Sequence, residues 1–276
     1  MPLFNKAAIV GVGLIGGSIA LELKKKRLCR EVVGVTRHKE TLAQAKRSGI
    51  IDRGSLDLDI IRDADLVVLA ASVGTILEVA EKLAPLVKKD CIVTDVGSTK
   101  QAIVKRLTKM FPGYIGSHPL AGSEKRGVYH ARYGMFAGSL CILTPTKETR
   151  SGATAKIRKM WHAFGARVVS LPASRHDTIL SLVSHLPHAV AFSLMSSVPA
   201  EFLPFAAGGL KDTTRLAASD ATLWVDIFLS NRKNVLSAIG LLQGNLEKIK
   251  TAIRKQDRVA LAKILKQAKK KRDTLT

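Results

Sequence analysis

Residues 7–18 read Ala7-Ala8-Ile9-Val10-Gly11-Val12-Gly13-Leu14-Ile15-Gly16-Gly17-Ser18, and this stretch decides the fold. Residues 7–10 are a short apolar run of the kind a buried strand uses. Gly11, Gly13 and Gly16 follow at Gly-x-Gly-x-x-Gly spacing, and residues 15–23 continue as a helix with Ile19 and Leu23 on one face. Gly11 permits a tight turn, Gly13 has no side chain to hold a pyrophosphate off the backbone, and Gly16 lets helix and strand pack closely. The free N–H groups and positive dipole end of the helix then face the phosphates. The spacing alone also fits an ordinary Gly-rich strand–helix turn. The strand before it and the helix after it favour a dinucleotide site.

Working outward, residues 31–37 read as the second strand. Its carboxyl end, about 20 residues past the glycines, is where an acid binds both ribose hydroxyls in NAD sites. Thr36, Arg37 and His38 stand there instead. An Arg can hold a 2′-phosphate by paired charged hydrogen bonds, so NADP is expected ahead of NAD. The alternative is a surface Arg37 stacked on the adenine.

A helix over 38–49 is closed by glycine. Strands are expected over 65–71, 91–96 and 114–117, with helices over 76–87 and 101–109 between them. Two further strands, 140–145 and 166–171, flank a helix carrying Trp161. Such βα alternation predicts a doubly wound, Rossmann-type parallel sheet, with ligands beyond the carboxyl ends of its strands. Ser98 and His118 both fall just past strand ends, facing one crevice. A histidine in the loop 118–124 can act as a general base near neutral pH, or simply be a hydrogen-bonded loop residue. Ser98 taken alone fits an N-cap.

From Pro172 onward the strand signal disappears. Helical periodicity runs over 174–198 and 219–268, with apolar faces at Leu242, Leu246, Ile249 and Ile253 and at Leu261, Ile264, Leu265 and Ala268. The expected organisation is a dinucleotide-binding domain over 1–171 and an all-α helical domain over 172–276. The helical half has more apolar face than a bundle of its size needs, which predicts a homodimer.

Composition excludes several other classes. The chain has 276 residues and is 46% apolar, as a globular protein is. No run reaches membrane-span length, and no basic stretch with an apolar segment and cleavage site opens the chain, so a cytoplasmic protein off the membrane is expected. The three cysteines are widely spaced, which speaks against disulfides and a zinc cluster. The net charge of +22 raises nucleic acid as a partner. However, Lys and Arg are spread along the chain and lack interleaved aromatics for base stacking. The charge is therefore read as a solvated surface that gathers anionic ligands.

In the helical half, Ser184-His185-Leu186-Pro187-His188 lies in an apolar helix, and Asp212-Thr213-Thr214-Arg215 follows a glycine pair. No Cys or carboxylate clusters beside the two histidines, so no metal is expected. Arg215, among apolar and small residues, calls for an anionic partner: Asp212 or a substrate carboxylate.

Taken with Asp95-Val96-Gly97-Ser98-Thr99-Lys100, His118-Pro119-Leu120-Ala121-Gly122-Ser123-Glu124 and Trp224, these motifs resemble the prephenate and arogenate dehydrogenases of tyrosine biosynthesis, over roughly residues 6–250. The resemblance implies oxidative decarboxylation of prephenate to 4-hydroxyphenylpyruvate, or of arogenate to tyrosine. It implies His118 as the base, with Ser98 holding it and the nicotinamide in register. Substrate contacts would come from Ser117, His188, Gly209 and Arg215, with Glu124 at the entrance. Cofactor contacts would come from Gly11, Gly13, Leu14, Ile15, Gly16, Thr36, Arg37, His38, Ala71, Ser72, Val96 and Ser98. Ala71-Ser72 departs from the Thr-Pro or Ser-Pro turn of many relatives. With two domains expected over 1–276, no regulatory or fused mutase domain of the kind some relatives carry is expected, while direct inhibition by tyrosine stays open.

Two rivals remain at this stage. A β-hydroxyacid-type dehydrogenase would resemble the chain in outline but use a catalytic lysine in its helical domain. A non-catalytic NADP-binding regulator would use the basic surface on nucleic acid.

Overall fold

The structure is a computed structural model that describes residues 1–122 and 125–275. Strands and helices alternate through the first part: β1 (Phe4–Val10), α1 (Leu14–Lys25), β2 (Cys29–Val35), α2 (Lys39–Arg47), β3 (Arg53–Ser55), β4 (Leu66–Leu69), α3 (Val73–Leu83), β5 (Ile92–Asp95), α4 (Gln101–Met110), β6 (Tyr114–Pro119), β7 (Leu140–Thr144), α5 (Ser151–Ala163) and β8 (Arg167–Ser170). They form one sheet in the order β3-β2-β1-β4-β5-β6-β7-β8. The four residues of β4 and the four of β5 are all buried, as strands covered on both faces must be. Reversal of strand order between β1 and β4 opens the crevice where such sheets bind ligands.

Gly11 sits at φ 97°, a backbone region closed to most side chains. A Cβ at Gly16 would run into the Gly11 carbonyl and the Ile9 side chain, so glycine there sets how closely α1 packs on β1. α3 starts three residues earlier than expected because Ser72 caps it, its hydroxyl accepting from Thr75 N–H.

The sheet departs from the expected all-parallel form at one place. β6 and β7 pair antiparallel, with His118 opposite Ile142 and Pro119 opposite Cys141. That pairing extends β6 two residues past its expected end. His118 is therefore held on a strand rather than in the loop after one. Pro119 is tolerated because β6 pairs with β5 only as far as Gly116, so the missing N–H on that side breaks no ladder bond.

The second part is helical: α6 (Ala173–Leu180), α7 (Leu186–Ser196), α8 (Gly208–Thr214), α9 (Ala221–Ser230), α10 (Arg232–Arg254) and α11 (Arg258–Arg272). A single π turn, Ser181–His185, joins α6 to α7 into a helical stretch of 24 residues. By length and composition it could cross a membrane, contrary to the expectation that no run would. Yet His176, Asp177, Ser181 and His185 on it are buried, and α6 packs on α4 of the sheet domain. Leu236, Leu241, Leu246 and Ile253 of α10, with Val259 and Leu265 of α11, are exposed.

Candidate active site

At the start of α1 the first N–H groups have no partner within the helix. Gly13 is the N-cap, and the space its Cβ would take is open. The cradle fits a pyrophosphate lying on Leu14, Ile15 and Gly16. Beyond β2, Thr36 is half-buried while Arg37 and His38 are exposed. Among the described residues no carboxylate pairs with Arg37, and its guanidinium is free for a ligand. Ala71 and Ser72 leave β4 toward the same crevice, and Val96 and Ser98 leave β5, all four half-buried.

His118, near the end of β6, carries the most organised polar contacts. Its Nδ1 lies 2.8 Å from Nε2 of His176. His176 Nδ1 lies 2.8 Å from Asp177 Oδ1. Asp177 also accepts the Lys100 N–H on Oδ1 (2.7 Å) and the Gln101 N–H on Oδ2 (2.9 Å), so it caps α4 from the helical domain. Burial pushes the Asp177 carboxyl up, but hydrogen bonds from His176, Gln101 and Lys100 outweigh it and keep the group ionised.

An ionised carboxylate only accepts, which fixes the protons. His176 carries hydrogen on Nδ1 and accepts on Nε2. His118 therefore donates from Nδ1, and its Nε2 is a bare lone pair. Burial, then the neighbouring His176, Lys100 and His185, hold His118 well below the ordinary imidazole range. The ring is neutral at physiological pH, as a proton acceptor must be.

The helical domain supplies the facing wall. His188 Nδ1–H donates to the Ser184 carbonyl at 2.9 Å, and its ring stacks on Trp224 at 3.5 Å between centroids. α7 packs on α8 and on the turn that follows it, which sets Arg215 beside His188. Arg215 is exposed and, among the described residues, pairs with no acid, Asp212 included. His185 is buried with Asn231 Nδ2 3.2 Å from its Nδ1. From α9, Asp226 accepts Val73 N–H (2.6 Å) and Gly74 N–H (3.3 Å). The helical domain thus caps both helices that follow the crevice strands β4 and β5.

The prephenate dehydrogenase nucleotide-binding domain profile matches residues 19–170, and that family's dimerization domain matches 172–267. The chain belongs to the prephenate dehydrogenase family. It is 36% identical to the cyclohexadienyl dehydrogenase of Zymomonas mobilis, covering 99% of this chain and 96% of that one. It is 34% identical to the prephenate dehydrogenase of Bacillus subtilis over 97% of this chain and 75% of the other. Prephenate dehydrogenase from Aquifex aeolicus, solved with hydroxyphenyl propionate and NAD+, superposes with a TM-score of 0.93 at 36% identity, covering 99% and 98% of the two chains. A 3-hydroxyisobutyrate dehydrogenase from Salmonella typhimurium, at 17% identity and a TM-score of 0.57, shares the fold alone.

Membership of the prephenate dehydrogenase family makes the chain a nicotinamide-dependent oxidoreductase. Within that frame several expected site residues need correction. Ser117 alternates to the other face of β6 from His118. Its hydroxyl is buried against Thr94 Oγ1 (2.8 Å) and accepts from Trp161 Nε1 (3.2 Å), so the side chain cannot reach a substrate. His118 is held at Nδ1 by His176, a partner the sequence did not point to. Gly209 lies exposed on α8, and Glu124 lies outside the described residues. His176 and Asp177 were missed. The signal was an adjacent His-Asp pair in the polar first turns of a helical stretch that is apolar further on.

Proposed function

We propose that the chain oxidises and decarboxylates prephenate to 4-hydroxyphenylpyruvate with His118 as general base. The observation that carries this reading is the Asp177–His176–His118 chain, which leaves the Nε2 lone pair of His118 bare at the carboxyl end of the sheet. A bound oxidised nicotinamide supplies the hydride acceptor for C4 of the substrate ring. His118 Nε2 takes the proton of the C4 hydroxyl, which pushes electrons toward the departing hydride. Loss of the ring carboxylate as CO2 restores aromaticity, and His118 returns its proton to the phenol oxygen. Arg215 binds a substrate carboxylate by charge-assisted hydrogen bonds. His188, braced on Trp224, presents Nε2 to the substrate, and Ser98 lines the nicotinamide side.

Thr36, Arg37 and His38 favour NADP over NAD, because no acid follows β2 to bind the ribose hydroxyls. The exposed apolar side chains of α10 and α11 favour a homodimer built through the helical domain. Arogenate is the second reading. A Synechocystis arogenate dehydrogenase superposes with a TM-score of 0.86 at 28% identity. Steady-state turnover of prephenate and arogenate with each cofactor tests the assignment. Prephenate with NADP is expected to give the highest kcat/KM. No turnover of prephenate would overturn it.

A further inference from the structure

Beneath His118 lies a charged cluster that no step above uses. Lys100, at the N-cap of α4, is fully buried, and its ammonium pairs with the equally buried carboxylate of Asp95. Asp95 Oδ1 accepts from the Tyr114 hydroxyl and Oδ2 from Gly97 N–H, each at 2.8 Å. Tyr114, Gly116 and His118 share one face of β6, since alternate residues of a strand point the same way. Gly116 makes room for the cluster. A Cβ there would stand 2.9 Å from Tyr114 Oη and 3.3 Å from Lys100 Cδ, and would strike Thr144 Oγ1. The lysine stem therefore passes under the strand position next to His118. Its own N–H donates to Asp177 Oδ1, the oxygen that also holds His176. A buried ion pair is poor evidence for stability, because desolvation cancels much of the attraction.

We propose that Lys100 is a positioning residue for His118: its ammonium, oriented by Asp95, opposes a second positive charge above it and keeps the imidazole a free base. This rests on His118 being the base. The groups around that ring are Lys100 and Asp95 from the β5–α4 segment, His176 and Asp177 from α6, His185 from the π turn and Cys141 from β7. His176 and His185 are themselves held neutral by burial, and His185 is pushed down to about 4. Lys100 is thus the permanent cation of the set. Lys100 also opposes protonation of His176, against the pull of Asp177 and Asp95.

The test is the acid limb of kcat in Lys100→Met and Asp95→Asn, which remove the two opposed charges one at a time. In Lys100→Met the limb should move up by about one pH unit or more, the scale of a lost neighbouring charge. Asp95→Asn, which leaves the ammonium unopposed, should move it down, and Lys100→Arg should keep it. An unmoved limb in Lys100→Met overturns the proposal even if kcat drops, since a purely structural role lowers kcat without shifting the limb. If Lys100→Met does not fold, Asp95→Asn decides, and an unmoved limb there is equally fatal. His118→Asn separates the two failures. If it keeps the wild-type limb, the base assignment itself is wrong. If it abolishes the limb while Lys100→Met leaves it in place, only the role of Lys100 is wrong.

Discussion

Asp177→Asn should cost stability more than turnover. The Asp177 carboxylate accepts three hydrogen bonds, two on Oδ1 from His176 Nδ1 and Lys100 N–H and one on Oδ2 from Gln101 N–H. An Asn amide has one acceptor oxygen and gains a donor. At the Oδ1 place the oxygen keeps two of the three bonds. At the Oδ2 place it keeps one, and the NH2 then meets both His176 and the Lys100 N–H, so the first orientation wins. His176 keeps its proton on Nδ1, and the Nε2 lone pair of His118 stays bare. What is lost is the charge-assisted hydrogen bond from Gln101 N–H, about 1.5–3 kcal/mol. For a chain of this size that lowers Tm by roughly 3–12 °C. Turnover should fall by far less than the factor of about 10²–10⁴ that a missing general base costs. The assay is prephenate-dependent nicotinamide reduction with thermal unfolding on the same preparation, and cofactor affinity should hold. A variant that loses the full contribution of a general base while Tm holds would refute the proton order assigned to the relay.

Arg37→Ala should raise KM for NADP by about 10–150-fold, the worth of a lost charge-assisted contact, and leave NAD nearly unchanged; equal losses for both would remove the 2′-phosphate role. His185 titrates at about 4 in the folded chain because burial disfavours its charged form. Its contribution is complete above the unfolded value near 6.5 and fades as pH falls from there toward 4, a loss of about 3 kcal/mol. Denaturant titrations over that window should show the decline, and His185→Gln, which keeps an acceptor for Asn231, should make it shallower, with His118 and His176 supplying the remainder. Light scattering at micromolar concentration should return twice the 29.8 kDa of one chain, and a monomer mass would contradict the dimer.

The parts of the fold that were legible are those whose cause is local. The glycine spacing at 11, 13 and 16 is a demand of one turn and one helix packing, so β1 and α1 followed from residues alone. Arg37 fell where expected, past the end of β2 at Val35, because strand length and a missing acid are both visible in the chain. The direction of β7 was not visible, since residue pattern does not distinguish parallel from antiparallel pairing. That pairing in turn lengthened β6, put His118 on a strand and turned Ser117 into the core. The three residues of β3 are too few to show a period. His176 and Asp177 looked like ordinary helix residues because their partners, β6 and the start of α4, are 58 and 76–77 residues away. The role of Lys100 was hidden for the same reason: only the folded chain shows that Gly116 leaves it a place beneath His118.

The central claim is that neutral His118 takes the hydroxyl proton as the hydride leaves, and the acid limb of kcat tests it most directly. In the wild-type protein kcat should fall through a single ionisation below the ordinary imidazole range, because burial and Lys100 hold His118 low. His118→Asn should lower kcat by about 10²–10⁴ and remove that ionisation, with cofactor binding intact. A His118→Asn enzyme that keeps near wild-type kcat, or the same acid limb, would contradict the account and point to His188, the other imidazole with an available Nε2 at the site.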